Sequence, residues 1–156
     1  MNKKQRGISI VEALVALVVI SVGMLGIAGL YLSSLQAGRS AKLRSTAVNL
    51  AASIADRIRA NREAGGAYDT SKYGTPAKQG CDTKKCTPAA LAQEDLALWI
   101  ADIKSSLPGT VAAGKVTVKD NVSPTPDNFV VEITWREANA DIDYNYTVAM
   151  DLSNGL

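Results

Sequence analysis

Apolar and polar positions are unevenly distributed along this chain, and their spacing changes character several times. From Ile8 the sequence is apolar with one early interruption, the carboxylate of Glu12, and the 26 residues from Ala13 to Gly38 carry no formal charge. At about 1.5 Å rise per residue, a helix of that length covers roughly 39 Å, more than the ~30 Å core of a bilayer. Beyond it, Leu43, Ala47, Leu50, Ile54 and Ile58 recur at spacings of four, three, four and four, which is one face of a helix. Arg39, Lys42, Arg44, Asp56, Arg57, Arg59 and Arg62 fill its other faces. No proline precedes Pro76. The pattern therefore predicts one helix from about Ile8 to Arg62, stopped by Gly65-Gly66. Gly23, Gly26 and Gly29 inside it suit either close helix contact or a weak point where the helix extends or kinks.

Ala67 to Pro88 is rich in Gly, Pro and Lys and reads as loop. Thr87-Pro88 opens a second helix, with Leu91, Leu96, Leu98, Trp99, Ile103 and Leu107 on its apolar face and Pro108-Gly109 at its end. Three stretches then alternate with period two: Lys115 to Asp120, Phe129 to Arg136, and Tyr144 to Ser153. Such alternation predicts a sheet with one buried and one wet face. Ser123 to Asn128, with Pro124 and Pro126, supplies a turn between the first two strands. The expected fold class is α+β: a long N-terminal helix whose C-terminal half packs on a small antiparallel β-sheet, with a second, shorter helix. Trp135, Tyr144 and Tyr146 are expected in its core, and Asp95 and Asp102 as solvated helix charges.

Composition narrows the function. The 47% hydrophobic share and the mean hydropathy of +0.03 are those of an ordinary globular chain, and only the patterning reveals the apolar N-terminal third. There is no histidine, which removes the Ser-His-Asp and Cys-His nucleophile systems and histidine metal sites. No other nucleophile–base pair or metal constellation takes their place, so neither an enzyme nor a cofactor is expected. Lys3, Lys4 and Arg6 precede the apolar run with no acid among them, which holds the N-terminus on the cytoplasmic side and exports the rest. A cleaved secretory signal would have a shorter apolar region followed by a small-residue cleavage site. An exported chain meets an oxidising compartment, so Cys81 and Cys86 are expected as a disulfide. A metal site would lack ligands, and a redox pair would have two intervening residues where this one has four.

The segment Gly7-Ile8-Ser9-Ile10-Val11-Glu12, with basic residues before it and an apolar helix after it, resembles a type IV prepilin cleavage site. The resemblance implies that prepilin peptidase cuts after Gly7 and that Ile8 becomes the N-methylated first residue. Relatives more often carry phenylalanine or methionine there. It also implies that Glu12 pairs with the N-terminal amine of a neighbouring subunit, setting recruitment or register during assembly. A carboxylate at the centre of a bilayer costs on the order of 2.5–3.5 kcal/mol and usually has a partner. A buried carboxylate and a buried ammonium are tolerable together where each is costly alone. The stretch Leu50 to Arg62, Leu107-Pro108-Gly109 and the tryptophan-containing strand look like the pilus-modification (PilV-type) minor pilins.

On that resemblance the chain divides into a leader (residues 1–7), a membrane and filament-core helix (8–38), an amphipathic stem (39–62) and a head (63–156). The implied role is a minor pilin, held as a single-pass protein in the bacterial inner membrane with a periplasmic head, then moved to the pilus. Implied partners are prepilin peptidase, the major pilin and other minor pilins, the inner-membrane assembly platform and a tip adhesin. A minor pseudopilin of a type II secretion system would carry the same N-terminus, and the stem and Leu-Pro-Gly turn favour the pilus. A head that binds DNA or a host surface is a third reading. From Glu63 onward 8 basic residues face 13 acidic ones, a net charge of about −5, which disfavours broad DNA binding although Lys84-Lys85 forms a local cationic spot. The stem from Arg39 to Arg62 has six basic residues and one acidic. The formal +2 of the whole chain thus conceals a basic stem beside an acidic head.

Overall fold

The computed structural model describes residues 9–119, 128–138 and 140–152. Its elements are α1 (Ile10–Ala60), a 3-10 segment (Arg62–Tyr68), α2 (Thr70–Tyr73), α3 (Pro88–Ser106), β1 (Ala113–Lys119), β2 (Asn128–Trp135) and β3 (Tyr144–Asp151). The chain divides between Ala41 and Lys42 into two units, and α1 contributes to both.

The first unit is helical, and its apolar side chains stand exposed; Leu14, Val18, Leu25 and Leu32 each keep more than half of their surface. A helix that is apolar all round and exposes those side chains needs a membrane or other helices around it. α1 continues unbroken through Gly23, Gly26 and Gly29, where an added Cβ would meet no atom within 4 Å.

The second unit holds the core. β1, β2 and β3 form an antiparallel sheet in sequence order, with Val116 opposite Val131 and Val131 opposite Val148. Alternation along β2 buries Phe129, Val131, Ile133 and Trp135. They share one cluster with Ala47, Ala51, Ile54 and Ile58 of α1 and with Ala92, Leu96, Trp99 and Ile103 of α3. The Trp99 indole N–H donates to the Leu50 carbonyl at 2.9 Å, tying α3 to α1. A Cβ on Gly114 would stand 2.4 Å from Ile103 Cδ1 and 2.5 Å from Trp99 Cη2, so glycine is what lets β1 lie against α3. The Trp135 ring stacks on Tyr144 with centroids 5.9 Å apart. Its indole N–H is buried without a partner among the described residues.

Several expectations need correction. The helix stops at Ala60, before the double glycine, and the chain continues in 3-10 form until Tyr68. Gly65, at φ 48° and ψ −121°, marks a break inside that segment. Ala67 and Tyr68, read as loop, are core residues. Leu91 is 38% exposed and Leu98 half-buried, because the buried stripe of α3 runs through Ala92, Leu96, Trp99 and Ile103 instead. β1 begins at Ala113, two residues earlier than expected; Asp120 and the turn at residues 123–127 lie outside the described residues. Pro108-Gly109 does close α3, with Gly109 at φ +94° and a Cβ there only 3.1 Å from the Arg136 carbonyl oxygen.

Candidate functional site

Two regions carry the candidate chemistry. At the N-terminus, Gly7 and Ile8 lie outside the described residues, and the structure begins at Ser9. Ser9 caps α1. Its hydroxyl oxygen accepts the Val11 amide at 3.3 Å, and its carbonyl accepts the Ala13 amide at 3.2 Å. That numbering puts Ile10 first in the helix and Glu12 third, the Ser-x-x-Glu arrangement of a capping box. Glu12 also faces the positive end of the helix dipole. Its side chain is exposed and forms no ion pair among the described residues. The sequence expectation gave Glu12 only an intersubunit role, although the Ser-x-x-Glu spacing carries the signal of this local one. Cap and intersubunit partner are compatible, since one carboxylate has several acceptor positions.

In the head unit, polar groups are spent on holding the fold. Asp56 bonds Arg59 at 2.7 Å on an exposed face, one of the pairings its helical spacing allows. Asp95, expected as a solvated charge, is instead buried. Its Oδ1 accepts Arg57 Nη1 at 2.9 Å, and its Oδ2 accepts the Tyr68 hydroxyl at 2.7 Å. Burial, together with this hydrogen bond to Asp95, pushes the Tyr68 pKa well above its ordinary value, so the hydroxyl stays a donor. Asn61 Nδ2 reaches the Pro88 carbonyl at 2.9 Å and the Tyr68 oxygen at 3.3 Å, closing the network. Asp102 remains exposed, so the two α3 carboxylates do not converge.

Cys81 and Cys86 are disulfide-bonded with Cα atoms 5.5 Å apart. Closing so short a loop stabilises by about 2 kcal/mol through the unfolded chain. Glu94, a residue that sequence reasoning passed over, anchors the same loop: its buried carboxylate accepts the backbone amides of Gln79 and Gly80, the latter at 3.0 Å. No group of three His, Cys, Asp or Glu residues suited to a metal occurs among the described residues.

Asp69 is also buried. Burial opposes its charge, but hydrogen bonds from the Ser71 hydroxyl and amide, the Val118 amide and the nearby Lys72 charge outweigh that and hold its pKa below the usual aspartate value. A carboxylate depressed in the folded state contributes stability above its unfolded pKa and loses it as pH falls through the lower folded value. Asp69→Asn should therefore lower the thermal midpoint of the full chain in detergent at neutral pH, and the gap from wild type should shrink towards pH 3. A gap that stays constant with pH would contradict this.

Comparison with known families decides what this arrangement belongs to. Residues 2–28 match the prokaryotic N-terminal methylation motif, and residues 29–97 match the family described as Tt1218-like, type IV pilin Tt1218. The two matches abut at residues 28 and 29. The chain is a type IV pilin. Comparisons with curated proteins and with solved structures gave no match. The pilin's fold, a long N-terminal helix with a three-stranded antiparallel sheet and further helices, is that of the family. Pilins of this kind are structural subunits, and the motif implies peptidase processing and assembly with other pilins. The exposed apolar helix fits membrane anchoring before assembly.

Proposed function

We propose that this pilin is a minor subunit of the pilus-modification type, which takes part in priming, capping or incorporation of a type IV pilus. The methylation motif on an exposed apolar helix, with one carboxylate in its first turn, supports a pilin subunit, and the Leu50–Arg62 stem with the Leu107-Pro108-Gly109 turn supports the pilus-modification type. In this reading the basic tip stays cytoplasmic and the apolar helix stores the subunit in the inner membrane with the head in the periplasm. Prepilin peptidase cuts after Gly7, leaving Ile8 as the methylated N-terminus. Extraction by the assembly platform then exchanges lipid for helices of the major pilin and other minor pilins. Glu12 pairs with a neighbour's terminal amine, and the charge pair fixes register where a purely apolar helix would slide. A tip adhesin is a further partner in this reading.

The same reading assigns no nucleic-acid role to the head, whose acidic balance repels a phosphate backbone. Replacing Gly7 by Trp should leave the chain uncleaved: N-terminal sequencing would recover the leader, and the variant would be missing from sheared pili. A mature N-terminus at Ile8 in Gly7→Trp would contradict the cleavage assignment. Absence of the wild-type protein from sheared pili would contradict the assembly role.

A further inference from the structure

The two edges of the sheet are finished differently. On the β1 side the chain closes its own edge with side chains: Thr70 Oγ1 accepts the Val116 amide at 3.1 Å and donates to the Val116 carbonyl at 3.1 Å. Asp69 Oδ2 accepts the Val118 amide at 3.5 Å. One threonine and one aspartate thus take the place of a fourth strand. On the other side, β3 pairs only inward with β2 among the described residues. It is eight residues long and, between Tyr144 and Asp151, has no proline and no lysine, the usual devices that keep a sheet edge from pairing.

Beside β3 lies a cavity of about 360 Å³, walled by Val48, Ala52 and Arg59 of α1 and by Tyr146, Val148 and Met150 of β3. Tyr144, Tyr146 and Val148 are only partly covered, whereas the matching residues of β2 are fully buried. The inner layer therefore ends one strand short. We propose that β3 is a docking edge that receives a strand from a different pilin subunit, and this rests on the minor-pilin reading above.

Charge selects the occupant. Arg59, held by Asp56 at 2.7 Å, and Asp151 both line this groove, while Arg44 stands over the Tyr144 ring at 5.8 Å with no carboxylate bound to it among the described residues. An incoming strand should bring apolar side chains at alternate positions to complete the inner layer, and a carboxylate towards Arg44. A second copy of this chain does not meet that need. Its β1 edge is already closed, and the inner-face residues of its β3, Tyr144, Tyr146, Val148 and Met150, include no acid. The main-chain ladder supplies affinity, and the groove reads the alternate side chains.

The test uses full-length protein in piliated cells. A photoreactive p-benzoylphenylalanine replaces Thr147 or Ala149, both exposed on β3, or Thr117 on β1 as the control. Crosslinked peptides are then sequenced from sheared pili. The expected result is an adduct from positions 147 and 149 to an alternating segment of a non-identical pilin, with none from position 117. Val148→Lys, which sets a charge on the half-covered inner face, should remove the adduct while disulfide formation and the near-ultraviolet spectrum stay unchanged. Protein present in pili without a β3 adduct, or with adducts only to its own copies, overturns the docking edge and leaves the minor-pilin reading standing. Absence of the protein from pili overturns both.

Discussion

Asp95→Ala should destabilise the head by about 2–3 kcal/mol, a drop of roughly 10 °C in its unfolding midpoint. The change removes the nearer acceptor of the Tyr68 hydroxyl, on a fully buried residue, leaving it the Arg57 carbonyl at 3.3 Å, and it strips Arg57 of its only carboxylate among the described residues. Removing one partner of a fully buried pair costs about 3–5 kcal/mol, but here the Arg57 side chain keeps 35% of its surface, so water replaces part of the loss. Asp102→Ala on the same helix should cost less than about 0.5 kcal/mol, because that carboxylate is already solvated. The tryptophan bands in the near-ultraviolet circular dichroism of the full chain in detergent follow the head alone, since Trp99 and Trp135 both lie in it, whereas Tyr31 of α1 absorbs at shorter wavelength. Equal midpoints for the two variants would mean that the Arg57–Asp95–Tyr68 network carries no net stability.

Titration gives a second handle on the same network. The Tyr68 pKa is raised in the folded state, so its stabilisation is complete below the ordinary tyrosine value of about 10 and declines as pH rises beyond it. Tyr68→Phe should flatten that alkaline decline. Both effects come from one geometry, a neutral hydroxyl donating to a buried carboxylate.

How far the sequence reveals this molecule depends on whether a feature is local. The period-two run from Phe129 to Trp135 admits one structural outcome, and β2 buries those four residues. The Ile54 and Ile58 face of α1 is equally direct. Tyr68 and Asp69 were hidden because they sit in a short 3-10 and turn region whose composition suggests solvent. Their burial is decided by Asp95 and Val118, which are far away in sequence. Asp95 was misread for a related reason: helical periodicity places a charge on a face but does not say that an arginine from α1 will meet it. The need for glycine at position 114 is likewise a property of β1 against α3, invisible in either element alone. In the head, the disulfide was legible from export and spacing, and its second anchor, Glu94, was not.

At the N-terminus the structure adds a competing role for the carboxylate on which the assembly proposal depends. As the third residue of a capped helix, Glu12 stabilises its own first turn by a few tenths to about 1 kcal/mol, and glutamine serves a capping box almost as well. A charge pair with a neighbour's amine is different in kind. Glutamine keeps the length and the hydrogen bonding but leaves the ammonium unpaired in an apolar filament core, at about 3–5 kcal/mol. That corresponds to roughly a hundredfold or greater loss of incorporation. The decisive measurement is the amount of processed Glu12→Gln protein in sheared pili, relative to wild type and to Glu12→Ala. The account predicts normal cleavage after Gly7 in both variants and near-complete absence of both from pili. Wild-type incorporation of Glu12→Gln would show that Glu12 serves only as a helix cap and would contradict the charge-pair mechanism.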